Sequence, residues 1–349
     1  MNKNPSVEFT NFTSSLQRKK LGVVYSSRFE GDPGKTWYHR WRSDIIGLYS
    51  SAAEALGMEP TFFNVDQFLD LSGKSAGQQP DYIINLNAGN RFLGNLSLVP
   101  SIAQWRMIPT AFCDARTAIV SEDKRLSKML AKQTGLTIPK GPSELSPNAD
   151  IILKPVNLGS SVGVSRATNK ESPPKGYFAE EFVPGLDGTI VLILDSTGSN
   201  LFVPGAQLVL PNIPDQRSWI YTEEAKRTAT GVTEVKYIQV SVNNILSELV
   251  IDLAHLCGSK SVARVDVRYT GELGKEIELN EKNAVFIEYN AMPTLGRKNS
   301  VNEFVEQYIH SNLTESVFEY IVSKTADKGC QAAAFLMCSA LYRSQLQMK

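Results

Sequence analysis

The sequence is short of several residue types on which whole classes of protein depend. It holds only three histidines and four cysteines, and no Cys-x-x-Cys spacing. That excludes a cysteine- and histidine-built zinc module and a disulfide-stapled scaffold. Cys113, Cys257, Cys330 and Cys338 are therefore expected to be free thiols in a reducing, cytoplasmic setting. A long hydrophobic run is also missing. The longest, Ala332–Tyr342 (AAAFLMCSALY), falls short of a bilayer core of about 30 Å at about 1.5 Å per residue, so no membrane partner is expected. The N-terminus (MNKNPSVEFTNFTSSLQRKK) has no apolar h-region and reads as a frayed polar tail rather than a signal peptide. Charge of one sign is not in excess, because 36 basic residues face 36 acidic ones. This argues against a nucleic-acid binder while leaving room for a local basic pocket.

What is present points to a folded α/β protein. Apolar residues make up 42% of the 349, enough to bury a core. Leu21–Tyr25, Pro60–Val65 and Asp81–Leu86 read as strands, with a helical pattern over Trp41–Leu56 between the first two. That alternation predicts a parallel sheet with crossover helices in a first unit, residues 18–108. A second unit, residues 109–183, opens with a helix whose N-cap is assigned to Ser121 and whose apolar stripe is Leu126, Met129 and Leu130, ending at Gly135. A third, residues 184–349, contains the strand-like runs TIVLIL, AQLVL, VARVDVRY and AVFIEY. Helical patterns over Asn244–Cys257 and Phe304–Val322 flank them.

Two constellations could carry chemistry. In ILKPVNLGSSVGV, Lys154 ends an apolar strand and a turn follows with Gly159, Ser160, Ser161 and Gly163. Such a turn brings backbone N–H groups close to phosphate oxygens, and the lysine adds charge. An ordinary Gly-Ser hairpin reads the same way. In the second constellation, alternation puts Arg264, Asp266 and Arg268 on one face of a strand, and Phe286, Glu288 and Asn290 on one face of another. If the two strands pair, Asp266, Glu288 and Asn290 converge as oxygen ligands suited to Mg²⁺ or Mn²⁺; a merely wet polar face is the bland alternative. Glu180, Glu181 and Asp187 could accept from ribose hydroxyls, or could mark a charged connection. Lys124 and Lys128 lie opposite the apolar stripe, as solvated surface lysines do. Glu224, Lys226 and Arg227 sit in a polar loop that could be a lid.

Together these segments resemble the ATP-grasp ligases, most closely the D-alanine–D-alanine ligase branch, from about Ser121 to Ser300. The resemblance implies a three-unit ATP-grasp fold with ATP between the central and C-terminal units, and Mg²⁺ or Mn²⁺ as metal. It implies phosphate contacts for Lys124, Lys154, Gly159, Ser160, Ser161 and the lid lysine Lys226. It implies an adenine–ribose hinge at Glu180, Glu181, Val183 and Asp187, metal ligation by Asp266, Glu288 and Asn290, and catalytic roles for Arg264, Ser160 and Lys226. The implied partners are a small-molecule acid and an amino acid, and the resemblance leaves a homodimer open.

The chain also departs from the family pattern. VVYSSRFEGDPGK replaces the family's Gly-Gly-x-Ser-x-Glu loop, NLNAGNRFLGN stands in place of a His-Gly…Gly-Glu-Asp-Gly loop, Arg227 replaces a lid aromatic and Thr294 a glycine. The first of these loops is basic, with Arg28, Lys35, His39, Arg40 and Arg42 against Glu30, Asp32 and Asp44. An acceptor acid without a free ammonium group is therefore expected, as in the ligases that add an amino acid to mycosporine-glycine. A D-alanine dipeptide ligase, which Glu30 could serve by pairing with an ammonium, and a non-catalytic nucleotide-binding module are the alternatives.

Overall fold

The computed structural model describes residues 5–25, 43–71, 79–87, 94–159, 161–222, 234–274, 276–293, 295 and 300–348. Its first layer is a parallel sheet of β1 (Lys20–Tyr25), β2 (Glu59–Asn64), β3 (Tyr82–Asn85) and β4 (Thr110–Ala111), in the order β2-β1-β3-β4. Strand β1 is covered on both faces, as parallel strands usually are. Val23 joins the core under α2 (Ser43–Ala55), whereas Val24 packs with α3 (Val65–Asp70) and α4 (Asn95–Trp105). The second strand stops at Asn64 rather than Val65, because Asn64 forms a capping box with Gln67 and starts α3. The sheet takes its last strand from just beyond residue 108.

The N-terminal segment is not a frayed tail. Residues Pro5–Ser15 form α1, Phe9 and Phe12 pack on the C-terminal helix, and Leu16 just beyond α1 is buried too. The Phe9 and Tyr342 rings lie 5.0 Å apart. Phe9 and Phe12 recur three residues apart, which is helical spacing.

In the central unit, α5 (Ala115–Glu122) is followed directly by α6 (Lys124–Thr134). The cap of α6 is Asp123, which accepts from the N–H groups of Arg125 and Leu126; Ser121 lies inside α5. The expected stripe holds in part, since Leu126 and Leu130 pack against the core. Met129 is 70% exposed, while Lys124, Ser127, Lys128 and Ala131 face inward. Helix α6 therefore turns lysines toward the interior. The three-stranded antiparallel sheet beside it consists of β5 (Asp150–Pro155), β6 (Ser165–Thr168) and β7 (Tyr177–Glu181), ordered β6-β5-β7.

The third sheet has six strands, ordered β12-β10-β9-β8-β11-β13. They are β8 (Leu186–Leu194), β9 (Leu201–Pro211), β10 (Val235–Val242), β11 (Ala263–Tyr269), β12 (Glu278–Leu279) and β13 (Ala284–Asn290). Strand β10 escaped sequence reading because it has no fully buried residue to make an apolar run. Helix α7 (Asn244–Cys257) matches its expected bounds. The pattern over 304–322 divides into α8 (Ser300–Ser311) and α9 (Ser316–Lys324). The run Ala332–Tyr342 lies in α10 (Lys328–Met348) and is buried throughout, which explains its apolar character without a membrane. Among the described residues no helix is long and apolar enough to cross a membrane. All four cysteines are buried, and none is in a disulfide.

Candidate active site

At the centre of the candidate site is a buried cluster of one carboxylate and two ammonium groups. Strands β5 and β7 pair with Ile152 opposite Glu180, which places Lys154 two residues along on the same face as Glu180. Lys154 Nζ lies 2.5 Å from Glu180 Oε1. Lys128, from α6, reaches Glu180 Oε2 at 2.9 Å and donates to the Ile287 carbonyl at 2.9 Å. Burial opposes the charge on Glu180, but the two lysines outweigh it and hold its carboxyl below the usual range. Lys128 is pushed down to about 8, chiefly by burial and further by the charge of Lys154, against the pull of Glu180. Lys128 is thus an interior group and not a surface lysine. A lysine on the polar face of a helix looks the same in sequence whether that face meets water or a polar cleft.

Lys124, one turn earlier, donates to the Leu158 carbonyl at 2.6 Å and lies 3.4 Å from Glu288 Oε2. It connects the turn after β5 to the acidic strand β13.

That strand pairs antiparallel with β11, setting Asp266 opposite Glu288 and Arg264 opposite Asn290. The register shifts between Asp266 and Val267, so Val267 faces Phe286 and Ile287 has no opposite number. The bulge frees the Ile287 carbonyl for Lys128. Arg264 pairs with Asp266: Nη2 donates to Oδ2 at 3.0 Å, Nε lies 2.8 Å from Oδ1 without forming a hydrogen bond, and the Thr189 hydroxyl donates to Oδ1 at 3.0 Å. Although burial acts against it, Arg264 is held more firmly protonated by Asp266 and Glu288. Asn290 Oδ1 accepts from the Met292 N–H at 3.2 Å. Among the described residues no group of three or more His, Cys, Asp or Glu side chains is placed to hold a metal ion. The donor set here is two carboxylates and an amide, hard oxygens that fit magnesium or manganese better than zinc.

At the hinge, Glu181 turns toward Lys140. Its N–H donates to the Lys140 carbonyl at 2.9 Å, and its carboxylate accepts from the Lys140 N–H at 3.2 Å. The Val183 carbonyl accepts from Arg268 Nε at 3.1 Å. Asp187 accepts at Oδ2 from Arg268 Nη1 at 2.8 Å and from the Tyr221 N–H at 3.2 Å. In the turn after β5, Ser161 has a φ of 62° and donates to the Tyr221 carbonyl at 2.9 Å. The turn is therefore joined to the chain segment around Tyr221. Gly163, with φ of 70°, occupies a conformation that few side chains tolerate. Ser160, Glu224, Lys226, Arg227 and Thr294 lie outside the described residues, as does the basic loop over 26–42.

Glu122 carried no signal in the sequence, because its partners are backbone amides distant along the chain. It is buried at the N-terminus of α4 and accepts from the Gly94 N–H at 2.7 Å. Burial pushes its carboxyl up to about 7, against those amides and the charge of Lys124. The folded chain thus holds a proton that the unfolded chain releases between about pH 4.5 and 7, so Glu122 makes stability fall as pH rises through that window. Urea midpoints at pH 5 and pH 8 should converge more closely in Glu122→Gln than in the wild type. An unchanged pH dependence in the variant would refute this.

No family model matches the chain. A D-alanine–D-alanine ligase of Rhizorhabdus wittichii is 25% identical over 268 residues, covering 70% of this chain and 79% of that protein. One from Prochlorococcus marinus is 30% identical over 158 residues, covering 42% of this chain and 44% of that protein, so the chain spans less than half of that relative. Among solved structures, the VanG D-Ala:D-Ser ligase from Enterococcus faecalis superposes with a TM-score of 0.60 at 13% identity, over 88% of this chain and 99% of its own. The D-alanine–D-alanine ligase from Bacillus anthracis complexed with ATP superposes with a TM-score of 0.54 at 13% identity, over 88% of this chain and 98% of its own. These likenesses show a mixed α/β ATP-grasp-like fold.

Proposed function

We propose that this chain, which belongs to the D-alanine–D-alanine ligase-like branch of the ATP-grasp superfamily, is an ATP-dependent ligase that joins two small amino acids of the D-alanine type. The observation that carries this reading is the position of Lys124. With Nζ 2.6 Å from the Leu158 carbonyl and 3.4 Å from Glu288, it ties the turn after β5 to the acidic strand pair, which supports a single site built from both. A nucleotide held by the first presents its phosphates to the second.

ATP is a substrate in this scheme, its adenosine along the β7–β8 hinge at Glu180, Val183 and Asp187 and its phosphates toward Lys124, Lys154 and the Gly-Ser turn. Asp266, Glu288 and Asn290 would hold magnesium, which neutralises phosphate charge when bound. A carboxylate oxygen of the first amino acid attacks the γ-phosphorus and ADP leaves. The amine of the second then attacks the acyl phosphate and inorganic phosphate leaves. Arg264, locked by Asp266, is a preorganised cation for the oxyanion that develops in this second step. Little covalent work falls to the protein, and positioning and charge do most of it, as in phosphoryl transfer generally.

An acid acceptor of the mycosporine-glycine kind draws no support from the comparisons, whose named members are D-alanine–D-alanine or D-Ala:D-Ser ligases. ADP release should be followed over a panel of D- and L-amino acids, singly and in pairs, with and without mycosporine-glycine. Release with D-alanine alone, giving a dipeptide mass, is the expected result. Release only with the acid would replace the dipeptide reading, and nucleotide binding without release under any condition would indicate a binding module.

A further inference from the structure

We propose that Arg268 is a positioning residue that sets the ribose selectivity of the nucleotide site by fixing the orientation of the Asp187 carboxylate. This rests on the reading of Asp187 as the ribose acceptor.

Arg268 on β11 stands directly opposite Asp187 on β8 in the antiparallel register. Its guanidinium is buried and makes five hydrogen bonds to groups that flank the hinge. Nη1 donates to Asp187 Oδ2 at 2.8 Å and Nε to the Val183 carbonyl at 3.1 Å. Nη2 donates to the carbonyls of Gly185 at 2.5 Å, Trp219 at 3.1 Å and Arg217 at 3.2 Å. Only a rigid planar fork reaches carbonyls on two chain segments and a carboxylate together; an ammonium offers three donors from one point.

The consequence falls on Asp187. Its Oδ2 is already committed to Arg268 and to the Tyr221 N–H. Oδ1 takes no hydrogen bond from any described residue, and the side chain remains 29% exposed. One oxygen is held by protein donors, and the other is left as an acceptor on a partly exposed side chain whose orientation Arg268 fixes. A ribose hydroxyl is a donor and fits that single acceptor. A carboxylate free to rotate would present either oxygen and would lose orientation entropy on every binding event. Arg268 therefore acts on the nucleotide through Asp187, without touching it.

The test is calorimetric titration of the full-length protein, in magnesium buffer without amino acids, using ATP, 2′-deoxy-ATP and 3′-deoxy-ATP. In the wild type at least one deoxy analogue should bind about tenfold more weakly than ATP, the size of a lost hydrogen bond to a charged group. Asp187→Ala should bring that ratio close to unity; a ratio kept in Asp187→Ala would overturn the ribose reading itself. If Asp187→Ala removes the ratio, Arg268→Met and Arg268→Lys decide the inference. Both should reduce it to within about twofold of unity, the lysine failing because it lacks the fork. Equal weakening of all three nucleotides with the ratio intact would make Arg268 a purely structural brace and overturn the proposal. Should neither Arg268 variant fold, Asp187→Glu decides instead, because it keeps the carboxylate but lengthens the side chain out of register with the Arg268 guanidinium. Selectivity should then fall to within about twofold of unity, and an Asp187→Glu protein that keeps the wild-type ratio would contradict the proposal.

Discussion

Lys154→Ala should bind ATP about 10- to 100-fold more weakly and turn over at no more than about a hundredth of the wild-type rate, in a chain that still folds. The magnitude follows from losing one or two charge-assisted bonds to phosphate in a partly dry cleft. The rate falls further than affinity because charge on the transferring group develops after binding. Folding survives because Glu180 keeps Lys128 at 2.9 Å, so the buried carboxylate is not left alone. Calorimetric ATP titration beside a thermal melt separates the two effects. Unchanged ATP affinity would remove Lys154 from the phosphate site.

Glu288→Gln should lower activity by about 100-fold or more at saturating ATP while leaving the melting temperature within a few degrees. The substitution keeps shape and removes one charge opposite Asp266. The pair that Glu288 forms with Lys124 is long, at 3.4 Å, and the buried Lys124 keeps its bond to the Leu158 carbonyl, so the loss of the pair costs little stability. In the wild type, EDTA should abolish turnover, and magnesium or manganese should restore it where zinc does not. A fully active Glu288→Gln protein, or full activity after exhaustive chelation, would contradict the assignment of this strand pair.

The parts of the site that could be read from sequence are those whose signal is local. Lys154 ends an apolar strand and its turn follows at once. Asp266, Glu288 and Asn290 sit at alternate positions in apolar strands, and their pairing needed only an antiparallel register, which the structure has. The missed residues act across the chain. Lys128 is buried because α6 turns its polar face to Glu180 and to a bulged carbonyl, and composition cannot tell such a face from a wet one. Arg268 takes its partners from Val183, Gly185, Arg217 and Trp219, which alternation along β11 does not reveal. Glu122 meets a helix N-terminus that only the packing of α4 on α5 brings near. The same division holds for the fold. The parallel first sheet follows from alternating strand and helix patterns, whereas α1 depends on Phe9 and Phe12 finding Tyr342 at the other end of the chain.

The central claim is that a substrate carboxylate attacks the γ-phosphorus of ATP before carbon–nitrogen bond formation. It is tested most directly by giving the protein D-alanine labelled with oxygen-18 in its carboxylate, together with ATP and magnesium, and analysing the products by mass spectrometry. Attack through that oxygen predicts ADP, a D-alanyl-D-alanine dipeptide and inorganic phosphate carrying one oxygen-18 atom. Release of AMP and pyrophosphate, or a dipeptide accompanied by unlabelled phosphate, would contradict it.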